Sequence, residues 1–192
     1  MTRSIPCFLA AVLLLAGCQH FSMPFFHTKP NYNTVPEAQL REVALEIERA
    51  VKAGNREPEI ADRENIVVNT PGITQAIRTR AARMALLDDM LNRGQAFEKP
   101  NGHCYFVNSK EYRKSTKRRE RDRHSLMLNG EAGNRWAIYE GLIEANKFPR
   151  RSLSAIEDAF FKARIAVMEP GQQYEGPDGE PVAKSGESAD GG

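Results

Sequence analysis

Apolar residues recur at helical spacing in four parts of the chain, with long polar stretches between them. Side chains three and four positions apart lie on one face of an α-helix, so this spacing predicts amphipathic helices. Thr34 and Glu37 form a capping box at the start of the first helix, and Gly54 marks its end. Its apolar face consists of Leu40, Val43, Ala44, Ile47 and Val51.

The clearest helical pattern begins at Thr70 and Pro71 and ends at Gly94. Three arginines fall between its apolar positions, and we expect them on the solvent-exposed face because arginine is rarely buried. These arginines are Arg78, Arg80 and Arg83, and the apolar positions are Ile73, Ile77, Ala81, Met84, Leu87 and Leu91.

Two further helices are predicted in the second half, over residues 131–146 and from a capping box at Ser154 and Glu157 to Pro170. Their apolar stripes are Trp136, Tyr139, Leu142 and Ile143, then Ile156, Ala159, Phe160, Ala163 and Val167. We expect the aromatic group of Trp136, Tyr139, Phe148 and Phe160 to lie in the core. A groove for an acyl chain or a partner segment is the alternative.

Short β-prone pieces interrupt the helical pattern. Residues 97–107 flank a Pro100-Asn101-Gly102 turn and predict a small hairpin, and residues 66–68 are a short strand candidate. Residues 172–184 predict a turn-bearing segment, and residues 185–192 a disordered tail. We therefore expect an all-α fold: a small bundle of four to five helices with one or two short hairpins or extended segments.

The N-terminus has the features of an export signal. Arg3 precedes an unbroken apolar run over residues 8–16, which is too short to span a bilayer because a span needs about 20 apolar residues. Leu15-Ala16-Gly17-Cys18 resembles the lipobox of bacterial lipoproteins, which implies removal of residues 1–17 and lipidation of Cys18. An ordinary signal peptide or a short hydrophobic anchor is the alternative.

More than one acyl chain is needed for stable anchoring, so a multiply acylated Cys18 would hold the chain on a membrane. Gln19 follows Cys18, where proteobacterial lipoproteins retained in the inner membrane commonly carry Asp. We therefore expect the periplasmic face of the outer membrane. Residues 18–33, rich in Pro and Asn, predict an extended tether, and residues 34–69 hold the N-terminal helix and a linker.

Catalytic and metal-binding motifs are not evident. His103 and Cys104 are adjacent, but neighbouring residues of a strand point to opposite faces, and no CxxC or HExxH motif accompanies them. Cys104 is the one thiol left after processing and acylation, so no intrachain disulfide is expected. We expect a protein that is not an enzyme, with no catalytic residues, no metal and no cofactor.

Residues 110–123 are strongly basic, with eight Lys and Arg against three Asp and Glu in a chain of formal net charge +2. On one helix, Arg113, Lys117 and Arg121 would share a face at four-residue spacing. Export argues against nucleic acid as the partner. A solvated polar helix and a surface that binds anionic envelope polymers or lipids are the two interpretations.

Several short elements follow one another in order over residues 73–184. They lie at Gly94 to Tyr105, Asn134 to Tyr139, Ile143 to Asn146, Ala163-Arg164, and Pro170-Gly171 with Tyr174 and Gly179. In this order they are similar to the YdbL family, a periplasmic domain of unknown function. That resemblance implies a helical periplasmic domain over residues 70–184, acting as a non-catalytic accessory or chaperone-like partner of a large AsmA/TamB-like envelope protein, in phospholipid transport between membranes. This chain departs from the family in its lipobox and its extra N-terminal helix.

Overall fold

The chain is described by a computed structural model over residues 35–107 and 109–186. Five α-helices, one 3₁₀ turn and four three-residue strands occur in these residues. In chain order they are α1 (Glu37–Lys52), α2 (Pro71–Asn92), β1 (Ala96–Glu98), β2 (Cys104–Phe106), α3 (Lys110–Ser115), α4 (Arg118–Asn146), the 3₁₀ turn (Arg150–Ser152), α5 (Leu153–Val167), β3 (Gln173–Glu175) and β4 (Pro181–Ala183).

The prediction of an all-α fold is wrong, because the four strands form one mixed sheet in the order β2-β1-β3-β4. β1 pairs antiparallel with β2, and β3 pairs antiparallel with β4. The central pair is parallel and aligns Phe97 with Gln173 and Glu98 with Tyr174. The predicted hairpin and the predicted turn-bearing segment are therefore two halves of one sheet, joined by residues far apart in sequence.

The N-terminal helix packs into the main apolar cluster. Leu40, Val43, Ile47 and Val51 of α1 are at most 1% exposed. They share this cluster with residues of α2, α4 and α5. A second, smaller cluster joins the C-terminal half of α2 to the sheet and to the first half of α4. Its members are Leu87, Met90, Leu91, Ala96, Cys104, Met127 and Leu128.

The predicted end of α1 and both predicted limits of α2 are confirmed, and the predicted start of α4 is wrong. The capping box predicted for α1 is also wrong, because the helix begins at Glu37 with Pro36 as its N-cap and no side-chain cap. The Thr70 hydroxyl accepts a hydrogen bond from Ile73 N at the start of α2, and Gly94 adopts a φ of +62° just after its end. α4 begins thirteen residues before the predicted start at residue 131 and ends at a left-handed C-cap, Lys147. The first half of α4 was not predicted because it belongs to the basic segment, where too few apolar residues occur to form a visible helical stripe.

The strand candidate at residues 66–68 is wrong, since Ile66 forms only an isolated bridge with Arg63. Side chains hold this segment in place instead. The Asn146 amide donates to Val67 O at 2.8 Å and accepts from Val67 N at 2.7 Å. The Asp62 carboxylate accepts from the backbone N–H groups of Val68 and Asn69.

Several predictions fall outside the described residues: the signal peptide at 1–17, Cys18, the tether at 18–33, Thr34 of the capping box, and the end of the tail at 187–192. Within residues 35–107 and 109–186, no helix has the length and apolar character needed to cross a bilayer.

Candidate functional site

The basic segment is two helices rather than one. Thr116 has an extended conformation (φ −118°, ψ 129°) that ends α3, and Lys117 is the N-cap of α4. Arg113 and Lys117 are exposed, whereas Arg121 is half-buried. Its guanidinium donates to the carbonyls of Thr116 and Arg113 at the end of α3. The three predicted binding residues therefore do not form one stripe, and Arg121 joins the two helices.

A buried aromatic pair fixes the basic segment to the rest of the domain. Tyr112 of α3 and His124 of α4 are 4% and 7% exposed, and the Tyr112 hydroxyl lies 2.8 Å from His124 Nδ1. The ring of Phe106 on β2 meets Tyr112 edge-on at 4.5 Å between centroids. Burial raises the pKa of Tyr112. These contacts give the exposed cations a rigid base on the sheet.

The most unusual feature of the interior is a network of three arginines and three glutamates, which we call the Arg–Glu network. Its side chains are only 1–3% exposed. It links α1, α2, β1, α4 and α5 through alternating charges, and its formal charges balance. The members, in order of contact, are Glu48, Arg80, Glu131, Arg135, Glu98 and Arg164.

Two arginines of the network bind a carboxylate through both Nη atoms. Arg80 holds Glu48 at 2.8 and 2.9 Å, and Arg135 holds Glu98 at 2.7 and 2.8 Å. Between them, one oxygen of Glu131 accepts from Nε of Arg80 at 2.7 Å and from Nε of Arg135 at 2.8 Å. Such bidentate, charge-assisted bonds are among the strongest and most directional in proteins.

Arg164 completes the network at the sheet. Its Nε donates to Glu98, its Nη1 to the Tyr139 hydroxyl at 2.8 Å, and its Nη2 to the Lys99 carbonyl. The Gly102 carbonyl accepts a further bond from Arg135. Every guanidinium nitrogen of Arg80, Arg135 and Arg164 therefore donates at least one hydrogen bond, and such pairing is the condition under which buried charge is tolerated.

The arginines of the network keep Glu98 and Glu131 ionised. Burial alone would raise the pKa of Glu131, but Arg80 and Arg135 outweigh it and lower the pKa to about 2. The pKa of Glu98 is also lowered, because Arg135 and Arg164 outweigh its burial. Burial likewise opposes the charge of Arg135, and Glu98 and Glu131 raise its pKa.

A small cavity lies beside the network. It has a volume of about 20 Å³ and is lined by Glu48, Arg80, Glu98, Arg135 and Arg164, together with side chains of the second apolar cluster and Gln172. This volume holds about one water molecule. The network is therefore part of the protein interior.

His103 lies just before β2, and Cys104 is the first residue of that strand. His103 is exposed, and its ring lies edge-on to Tyr105 at 6.2 Å between centroids. Cys104 is 7% exposed and opposes Glu98 across the strands. Burial, followed by the charge of Glu98, raises the pKa of the Cys104 thiol well above its usual value. In the described part of the chain, no group of three or more His, Cys, Asp and Glu is arranged to hold a metal.

The aromatic group divides between the core and its edge. Tyr139 and Phe160 are fully buried, with ring centroids 5.1 Å apart. Trp136 and Phe148 are half-buried. The core interpretation is confirmed for Tyr139 and Phe160, and Phe148 packs against the same cluster.

The Arg–Glu network was not predicted from the sequence, and the prediction that Arg80 is solvent-exposed is wrong, since Arg80 is only 2% exposed. A signal was present. Arg80 lies three residues after Ile77 and four before Met84, which is an apolar position of the helical repeat. Glu131 and Arg135 likewise lie in line with Leu128 and Ile138. Charged residues of both signs at apolar positions of different helices indicate mutual pairing inside the protein.

Comparison of the chain with protein-family models, with curated proteins and with solved structures found no match.

Proposed function

We propose that this chain is a membrane-anchored lipoprotein whose domain is a non-catalytic accessory in maintenance of the cell envelope. The observation that carries the proposal is the lipobox ending at Cys18, after a charged start and a short apolar run. A lipid on Cys18 would place the domain at the periplasmic face of the outer membrane. The YdbL resemblance gives the process, transport of phospholipid between the two membranes, and an AsmA/TamB-like protein as the partner.

The interior of the domain supports a non-catalytic role. The buried carboxylates Glu98 and Glu131 are held ionised by arginines, so they are not poised to transfer protons near neutral pH. Arg80 and Arg135 contact these carboxylates at 2.7–2.8 Å, and all four side chains are only 1–3% exposed. The charged groups of the interior thus act on each other and orient the helices against the sheet.

In-cell crosslinking tests the accessory role. A photo-crosslinking residue placed at exposed positions of the intact lipoprotein should capture one dominant envelope transport protein. The same chain with Cys18→Ser is the matched control, and it should lose that product because it no longer reaches the membrane. Capture of peptidoglycan or lipopolysaccharide alone, without a protein, would contradict the accessory role.

The second candidate function is a binding module for anionic envelope polymers or lipids, and the exposed cations of residues 110–123 favour it. Arg113 and Lys117 are exposed, and neither takes part in an ion pair among the described residues. Reversing both charges should weaken binding to anionic polymers or lipids in pull-downs, and wild-type binding should weaken steeply with salt. Arg121 is left unchanged, because its bonds hold α3 to α4.

A further inference from the structure

We infer that the outer face of the first turns of α4, formed by Arg119, Asp122, Arg123 and Leu126, contacts the anionic phospholipid headgroups of a bilayer. The inference rests on the proposed lipoprotein anchor, since lipidation of Cys18 is what brings the domain to a membrane. The proposed ligand of the basic segment is thus a phospholipid headgroup. The proposed contact surface is centred on the first turns of α4 and not on the predicted residues Arg113, Lys117 and Arg121. We call these four residues the outer face of α4.

Leu126 is the most exposed large apolar side chain among the described residues. It is 73% exposed, whereas the next two residues, Met127 and Leu128, are 7% and 5% exposed. Side chains at i, i+3, i+4 and i+7 share one face of a helix, so Arg119, Asp122 and Arg123 lie on the face of Leu126. The opposite face of this part of α4 is buried and includes His124 and Leu128.

The charges around Leu126 are mostly positive and unpaired. Arg119 and Arg123 are exposed, as are Lys117 and Arg118 at the beginning of the helix. None of these four cations takes part in an ion pair formed among the described residues. Asp122 is the one acidic side chain on the outer face of α4. Cations at a helix N-terminus are also opposed by the helix dipole, so an anionic surface beside them would relieve that repulsion.

The combination of cations with an exposed leucine favours a bilayer over a hydrated polymer. Lys and Arg near an anionic membrane each strengthen binding, and an apolar side chain in their midst gains by entering the interfacial region. Peptidoglycan would satisfy the charges but offers Leu126 no apolar phase. Sixteen residues separate Cys18 from Val35, and a fully extended chain of that length spans at most about 55 Å, so the lipid surface lies within reach.

The test places a reporter at residue 126 of the full chain. The chain has one tryptophan, Trp136. The double variant W136F/L126W therefore moves the indole to the outer face of α4. Vesicles with brominated acyl chains, made of phosphatidylglycerol with phosphatidylethanolamine or of phosphatidylcholine alone, report contact through quenching. We expect quenching and a blue shift with the anionic vesicles and neither with phosphatidylcholine.

Charge reversal provides the matched comparison. Adding R119E/R123E should weaken partitioning at least about 25-fold, because each basic residue near an anionic surface contributes about fivefold. R56E/R151E changes the net charge equally at exposed positions elsewhere and should change partitioning less than about threefold. The inference would be overturned if the indole is not quenched in anionic vesicles, or if R119E/R123E and R56E/R151E weaken partitioning equally. Binding to soluble peptidoglycan fragments that R119E/R123E abolishes, without quenching in vesicles, would overturn it in favour of a polymer.

Failure of this inference and failure of the proposed function are distinguishable. The vesicle experiment is repeated on the full chain with Cys18→Ser, which carries no acyl group. If the indole is quenched in both chains and Cys18 proves unmodified in cells, the membrane contact of α4 is supported and the lipid anchor is contradicted. If Cys18 is acylated in cells and the indole is not quenched, the lipid anchor is supported and the membrane contact of α4 is contradicted.

Discussion

Glu131 occupies the centre of the Arg–Glu network and contacts two arginines through one oxygen. Along α2 and α4 the network lies between the two apolar clusters: Arg80 follows Ile77 and precedes Leu87, and Glu131 follows Leu128 and precedes Ile138. Buried ion pairs add little stability over an apolar equivalent, but removing one partner leaves a charge without compensation. Removing a single residue of the network should therefore destabilise the domain by much more than the intact network stabilises it.

Replacing Glu131 with Gln should destabilise the domain by about 3 kcal/mol, because Arg80 and Arg135 would share an interior with one negative charge fewer. The midpoint of urea unfolding measures this loss. Glu140→Gln is the matched control, since Glu140 is 46% exposed and pairs only with Arg150, and it should cost less than about 0.5 kcal/mol. Equal effects of the two substitutions would contradict the network as described.

The pKa of Glu131 predicts how its contribution depends on pH. The unfolded carboxyl has an ordinary value of 4.5, and the folded one has a pKa of about 2. A lowered folded pKa stabilises the protein above pH 4.5, and that stabilisation, about 3 kcal/mol, is lost as the pH falls towards 2. The difference in unfolding free energy between wild type and E131Q should therefore shrink steadily between pH 5 and 2.5. A difference that stays constant over that range would contradict the ionised state of Glu131.

At the scale of elements, local patterns predicted α1, α2, α5, the second half of α4 and the β1–β2 hairpin, and failed for the parallel pairing that makes one sheet. α1, α2 and α5 carry regular apolar stripes, which period 3.6 makes visible. The strands have three residues each, too few to show alternation, and Glu98 is a charged residue in a buried strand position. The pairing of β1 with β3 joins residues about 75 positions apart, and no local pattern reports such a contact.

The candidate site was also predicted only in part. The positive charge of residues 110–123 is evident from composition. The division of that segment between α3 and α4 is not, because Thr116 breaks the helix through its backbone conformation and through bonds from Arg121. Leu126 gave no signal alone, since a single leucine in a polar stretch is equally compatible with burial and exposure.

Two glycines of α4 test the finding that it is one helix from Arg118 to Asn146. Gly133 is exposed, and a Cβ there would meet nothing within 4 Å. G133A should therefore stabilise the protein by about 0.5–1 kcal/mol, because alanine loses less entropy in a helix interior. G141A is the matched comparison: its Cβ would lie 2.7 Å from Ile73 Cγ1, and overpacking should cost about 1–3 kcal/mol. Thermal unfolding measures both, and a destabilising G133A would contradict the continuous helix.

At the scale of the whole molecule, charge is unevenly distributed. The net charge of the chain is +2, while residues 110–123 alone carry eight basic and three acidic side chains, so the remainder is net acidic. Val35, just before α1, already belongs to the main apolar cluster, so the chain joins the domain at residue 35. With the proposed lipid on Cys18, an anionic membrane would attract residues 110–123 and repel the net acidic remainder, which would orient the domain.

The lipid on Cys18 is the claim on which the functional account depends. Metabolic labelling with a palmitate analogue, followed by separation of inner and outer membranes, tests it directly. The account predicts that the wild-type chain carries the label and sediments with the outer membrane, and that Cys18→Ser carries none and leaves the membrane fraction. An unlabelled wild-type chain, or a Cys18→Ser chain that is labelled and remains in the outer membrane, would contradict it.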